Sequence, residues 1–136
     1  MTHEYTVATG GLILGAADRR ATAVAWAEGT VLAVGRDPEV RAISRGDSTF
    51  VDLAGRVVSA GRDADAAIHL FREAIAQGLG ASAADLLGAV EPGSPADLLI
   101  WSCDPRTLSP RESAALAVVG TVRAGRLSWA KAAHAL

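Results

Sequence analysis

From Gly10 onward the chain alternates short apolar runs with glycine or charged turns, a pattern that predicts closely spaced β-strands rather than long helices. Leu12-Ile13-Leu14 is the first run, and Gly15 to Arg20 is polar enough for a turn. Ala23-Val24-Ala25-Trp26 and Val31-Leu32-Ala33-Val34 flank Glu28-Gly29, so they read as a β-hairpin. Because strand side chains alternate sides, Val24 and Trp26 share one pleat face, as do Leu32 and Val34. The hairpin therefore has an apolar side to bury. Gly35 ends it, Asp37-Pro38 is expected to be a helix N-cap with proline at the first position, and Glu39 to Ile43 makes a turn or two of helix. Thr49 to Leu53 and Arg56-Val57-Val58, joined at Ala54-Gly55, predict a second small hairpin.

From Arg62 to Gln77 the period changes. Ala64, Ile68, Phe71 and Ile75 recur at helical spacing with Leu79 continuing the stripe, while Asp65, His69, Arg72 and Glu73 take the opposite side. One amphipathic helix is expected, ended by Gly78 and Gly80. Ser82-Ala83-Ala84-Asp85 resembles a capping box opening a short helix to Leu87. After a Pro92-Gly93 turn, Asp97 to Trp101 reads as a strand that Asp104-Pro105 stops. Ser109-Pro110-Arg111-Glu112 favours a short helix start, and Ala117 to Val122 and Leu127 to Trp129 read as strands joined across 123–126. No fixed-period repeat appears. The expected fold class is mainly β with one principal helix (α+β), a composite β-sandwich or flattened barrel.

Composition narrows the picture. At 136 residues there is room for one domain, 1–136, able to bury a core without disulfides or metal. Half the residues are apolar but only 4% are aromatic, so the interior must be filled mainly by Ala, Val, Leu and Ile. A formal net charge of −2 lacks the basic excess that drives nucleic-acid binding, and no nucleic-acid partner is expected. No basic leader with an apolar stretch opens the chain, and no apolar run has the length of a membrane span, so a cytoplasmic protein without membrane contact is expected.

Several of these segments, taken in order, resemble a known family. Residues 23–35, an alternating strand, an acidic-glycine turn and a Val-Gly ending, are similar to the opening hairpin of the small β-sandwich that accompanies the catalytic barrel in the amidohydrolase superfamily (metal-dependent hydrolases), particularly its formamide-deformylase-like branch. Asp52-Leu53-Ala54-Gly55-Arg56-Val57-Val58 is similar to the strand pair leading toward that barrel. Glu91-Pro92-Gly93-Ser94-Pro95-Ala96-Asp97-Leu98-Leu99-Ile100 is similar to the return from it, where a Glu-Pro-Gly turn and an Ala-Asp pair introduce an apolar strand. The closing 121–127 segment fits the family's terminal hairpin. The resemblance implies that 10–60 and 90–129 are the two halves of a sandwich and that 62–89 is a helical insert in place of the barrel.

The family's Pro-Gly-Phe-x-Asp-x-His-x-His segment, whose histidines bind the metal that activates water, is missing. Aligned on Gly61, its positions hold Ala60, Arg62, Ala64, Ala66 and Ile68. Alanine and isoleucine have no lone pair for a metal. About thirty residues separate Gly61 from Glu91, whereas an eight-stranded barrel takes about 250. A sandwich without its barrel has apolar surface to cover. The Ile68, Phe71, Ile75 stripe is expected to cover part of it, at about 1.5–3 kcal/mol per side chain buried, and is also the candidate interface with a second copy.

Candidate chemistry is sparse. Asp65, His69 and Glu73, spaced i, i+4, i+8, set a carboxylate, an imidazole and a carboxylate on one helix face. They read first as a solvated face with weak ion pairs; a metal site would need further ligands, because groups along one helix diverge. His3 and His134 lie near the ends. Cys103 has no histidine near it in sequence, Ser82 and Ser109 read as caps, and no glycine run has phosphate-loop spacing. Asp97 reads as a turn or strand-start residue, and Trp26, Trp101 and Trp129 as core anchors. No catalytic residue and no cofactor is expected. The combination implies a non-catalytic binding or assembly module, a homodimer or a chain docked to another protein. Two other readings stand beside it: a small metal-dependent hydrolase acting on C–N bonds through Asp63, Asp65, His69 and His3, and a carrier of a small-molecule ligand between helix and sheet.

Overall fold

A computed structural model describes residues 5–44 and 46–130. The described residues build nine strands in two mixed sheets with one principal helix, so the class is α+β and mainly β. The strands are β1 (Thr6–Thr9), β2 (Leu12–Ile13), β3 (Ala23–Ala27), β4 (Thr30–Gly35), β5 (Thr49–Asp52), β6 (Val57–Ala60), β7 (Leu98–Trp101), β8 (Val118–Arg123) and β9 (Arg126–Trp129). The helices are α1 (Asp37–Arg41), α2 (Ala64–Ala76) and α3 (Gly80–Ala83), with 3-10 turns at Ala84–Leu86, Pro105–Thr107 and Glu112–Ala115. One sheet runs β4-β3-β1-β5 and the other β2-β6-β7-β8-β9. No helix among the described residues is long and apolar enough to cross a membrane.

The two sheets face each other across a core of Ala8, Val24, Trp26, Val31, Leu53, Val58, Leu98, Ile100 and Val122. Every residue of β3 and of β7 is buried, because each sheet is also covered outside. Helix α1 lays Val40 against Val7, Ala23 and Ala25, and α2 lays Phe71 and Ile75 against Val57, Leu99 and Trp101. The result is four layers: α1, sheet, sheet, α2. Phe71 meets Trp101 edge to face, with ring centres 5.2 Å apart at 82°. The Trp101 indole N–H donates to the Ser59 hydroxyl at 2.9 Å, which satisfies both polar groups in the buried layer.

Two hairpins form where they are expected. The Glu28-Gly29 and Ala124-Gly125 turns have positive φ at both central residues, a geometry whose twist matches that of paired strands. The 3.6-residue period likewise becomes α2, capped by the Asp63 carboxylate accepting the Ala66 N–H at 3.0 Å.

Other expectations are corrected. Strand β1 precedes Gly10, where the strand pattern was expected to open, and occupies the interior of its sheet, antiparallel to β3 and parallel to β5. The hairpin expected across Ala54-Gly55 does not exist. The turn forms, with φ of 52° and 81°, but β5 joins β1 while β6 joins β7 in the facing sheet. A bulge opposite Ala25/Trp26 makes Leu32 the extra residue, so Val31 rather than Leu32 shares the inner face with Val34. Asp37 is the first helical residue of α1 and Arg36 its N-cap. Leu79 leaves the α2 stripe, 53% exposed, because Gly78 at φ 76° turns the chain away. Gly80 starts α3 and Ser82 lies inside it. Trp26 and Trp101 are core residues, whereas Trp129 is 45% exposed on edge strand β9, with the Arg56 guanidinium 5.5 Å from its ring centre.

Candidate functional site

Asp65, His69 and Glu73 lie on the outward face of α2, and all three are exposed. The His69 Nε2 is 3.2 Å from a Glu73 carboxylate oxygen, a pair screened by solvent on both sides. Asp63 is committed as the helix cap, and His3 and His134 lie outside the described residues. Among the described residues no three His, Cys, Asp or Glu side chains gather where a metal would hold them together. Ile68, Phe71 and Ile75 turn inward: Phe71 and Ile75 are buried and Ile68 is half-buried against the same cluster, so the stripe covers the chain's own sheet.

Cys103 is half-buried at the edge of the α2 layer, 3.8 Å from the Ser102 hydroxyl. The Ser109 hydroxyl accepts the Glu112 N–H at 3.3 Å while Glu112 accepts the Ser109 N–H at 3.0 Å. The bonds that the carboxylate of Glu112 receives from Ser109, from its backbone N–H first and its side chain second, hold that carboxyl below its ordinary range. Asp104 grips Arg106 through two side-chain hydrogen bonds of 3.0 and 2.8 Å. Burial pushes the Asp104 carboxyl up, but its hydrogen bonds with the Arg106 side chain and backbone N–H and the guanidinium charge outweigh it, so the net shift is downward. Asp37 accepts from the Thr22 hydroxyl at 2.7 Å and the Gly10 N–H at 3.1 Å, and the Thr22 bond lowers its carboxyl in spite of partial desolvation. Each of these carboxylates closes a local turn or joint.

Asp97, in the Ala-Asp pair of the return segment, is a clamp between turns. One oxygen accepts the Ala124 N–H at 2.8 Å and the other lies 3.6 Å from the Arg62 guanidinium. Its neighbour Ala96 donates to the Gly29 carbonyl and accepts from the Gly125 N–H. Trp26 completes the joint, its indole N–H donating to the Gly125 carbonyl at 2.9 Å. Short-range reading of the sequence missed this role because the partners lie in distant turns.

Three grooves open on the surface of the described residues. A groove of about 330 Å³ lies between α2 and α3, lined by Leu70, Ala74, Leu79 and Leu86. A cleft of about 420 Å³ between the end of β2 and α3 is lined by Arg19, Asp85 and Arg106. A groove of about 580 Å³ between α1 and β5 holds Arg41, Phe50 and Asp52, with Phe50 59% exposed. The space between the sheets, by contrast, holds no room for water, and the Phe71 ring fills the space between α2 and its sheet. These grooves suit contact with other molecules; none assembles a nucleophile, a base and an oxyanion donor.

No protein-family model matches this chain, and no curated protein matches it at a significant level.

Proposed function

We propose that this chain is a non-catalytic binding and assembly module on a scaffold like the small β-sandwich of amidohydrolases, standing without the barrel. One observation carries the reading. Between Ala60 at the end of β6 and Leu98 at the start of β7, where the resemblance sets a barrel, the chain makes α2 and α3 and seals the outer face of its own sheet with Phe71 and Ile75. Ala66 and Ile68, at the two histidine positions, ride on the first turns of α2. Hydrolysis of a C–N bond needs an activated water or nucleophile, whereas Asp63, Asp97 and Asp104 are engaged as caps and clamps and Asp65 and Glu73 face solvent. A cytoplasmic setting belongs to the same proposal: the lone Cys103 has no second cysteine in the chain to bridge to and suits a reducing compartment.

The test is metal analysis of untagged protein together with turnover of small formamides and amides. The expected result is no stoichiometric metal and no hydrolysis above the buffer rate. About one zinc per chain, lost on His69→Ala, with turnover that follows the metal, overturns the proposal.

A further inference from the structure

We infer that edge strand β5 pairs, antiparallel across a two-fold axis, with β5 of a second copy, joining two four-stranded sheets into one of eight strands. This rests on the proposed binding role and gives it a partner. The argument starts from where the backbone groups of β5 point. Thr49 donates to the Tyr5 carbonyl and Leu53 to the Thr9 carbonyl, so the groups facing β1 belong to alternate residues 49, 51 and 53. The N–H and C=O groups of Phe50 and Asp52 therefore face away from the sheet, and among the described residues no backbone group meets them.

Other sheet edges are partly covered or charged. Along β4, Val31 donates to the Ser94 carbonyl and accepts from the Gly93 N–H, so the 93–95 turn covers the Thr30–Val31 end of that edge. Along β2, Gly11 and Ile13 donate to Thr22 and Ala21. Strand β9 carries Arg126 and has the Arg56 cation over Trp129, and positive charge repels a second identical edge. Strand β5 has no proline, lysine or bulge, and it displays Phe50.

Symmetry then selects the partner. With the axis at Val51, Phe50 of one copy lies opposite Asp52 of the other, and the two pairs exchange four N–H to carbonyl hydrogen bonds using only the outward groups of β5. This register keeps the outer faces of both sheets on one side. The two Phe50 rings become diagonal neighbours within reach of each other, covering what α1, packed over β1, β3 and β4, leaves bare. Arg41 lines the same groove as Asp37 and Asp52, so each copy brings a cation as well as carboxylates to the seam.

The experiment is sedimentation equilibrium from micromolar to millimolar chain, with hydrogen exchange at both ends of the range. The expected result is a reversible dimer in which the Phe50 and Asp52 amides exchange more slowly as concentration rises. Phe50→Glu, which leaves the backbone intact and sets a carboxylate opposite the partner's Asp52, and Phe50→Pro, which removes one outward donor and no bond to β1, are each expected to weaken association at least about tenfold. Leu86→Lys in the α2–α3 groove should leave association unchanged. A dimer that survives both Phe50 variants, or is lost on Leu86→Lys, overturns the interface, as does a strict monomer at millimolar concentration. A monomer that dimerises only when residues 131–136 are deleted gives the edge to the chain's own end and likewise overturns the second copy as occupant. None of these outcomes touches the metal and turnover measurements that decide the non-catalytic reading.

Discussion

Replacing Phe71 with alanine separates two views of α2, as a structural layer and as a dispensable insert. The side chain is fully buried, its ring meets Trp101 edge to face, and Leu99 and Ile75 close around it. Removing a ring from such a site costs about 3–5 kcal/mol, the transfer loss and the cavity together. Whole-domain stability is about 5–15 kcal/mol, so this one change removes a large share of it. With a urea m-value of about 2 kcal/mol/M, a loss of about 4 kcal/mol lowers the unfolding midpoint by about 2 M. Ile68→Ala, at a half-buried position one turn earlier, should cost about 1 kcal/mol and is the internal control. The assay is urea unfolding followed both by tryptophan fluorescence, which senses Trp101, and by helix dichroism. A coincident transition shifted by that amount makes α2 part of the cooperative core. A shift below about 0.5 M, or a helix signal lost well before the fluorescence change, refutes the reasoning.

Asp97→Ala should destabilise by about 1–3 kcal/mol because the Ala124 N–H loses its acceptor, whereas Asp97→Asn keeps an acceptor and loses only the weak pair with the exposed Arg62; equal losses in chemical denaturation would contradict the clamp. Gly61→Ala should cost about 1–3 kcal/mol in the same assay, since at φ 150° an added Cβ lies 2.9 Å from the Cδ1 atom of fully buried Leu99. The Asp104 carboxyl is depressed in the folded chain below its ordinary 3.8, so its stabilising contribution is present above that value and fades as pH falls through the folded pKa. Asp104→Asn should therefore narrow the stability difference between neutral pH and pH below 3.8; a stability profile across this window parallel to that of the parent would remove the assigned linkage. Ala54 sits in left-handed geometry at φ 52°, where asparagine is better tolerated, so Ala54→Asn should raise the melting midpoint by the equivalent of about 0.5–1 kcal/mol.

What could be read along the chain follows the range of the forces involved. The β3–β4 and β8–β9 hairpins were legible because turn and strands are neighbours, with Glu28-Gly29 and Ala124-Gly125 in positive φ between strands that pair directly. Helix α2 was legible for the same reason, its stripe of Ala64, Ile68, Phe71 and Ile75 recurring within one segment, of which Phe71 and Ile75 are buried. Ala54-Gly55 marks the limit. Its backbone is that of a hairpin turn, yet the strands it joins part into opposite sheets, because β1 offers β5 a parallel partner that no local pattern announces. Strand β1 escaped notice with it, its Thr-Val-Ala-Thr carrying only two apolar residues. Side-chain roles follow the same rule. The evenly spaced His69 face reads as solvated from its spacing alone and lies exposed, while Asp97, read as a turn or strand-start residue, works through a partner 27 residues away.

The four-layer arrangement also constrains how such a chain meets a partner. A sandwich with a bare outer face would bind by laying that face on something else, as the small domain of a barrel enzyme is expected to do. Here Val40 closes the outer face of one sheet over β1 and β3, and Phe71 and Ile75 close that of the other, so broad apolar faces are spent inside the chain. What remains exposed and apolar among the described residues is narrow: Phe50 and Trp129 on edge strands, Leu79 and Leu86 on helical turns. Side-chain burial alone yields little at such sites, since one exposed ring contributes about 1.5–3 kcal/mol at most. An edge strand adds directional backbone hydrogen bonds to that burial, and these fix register as well as affinity. Of the two aromatic edges, β9 already holds its ring under Arg56, which leaves β5 as the surface where both contributions are still available.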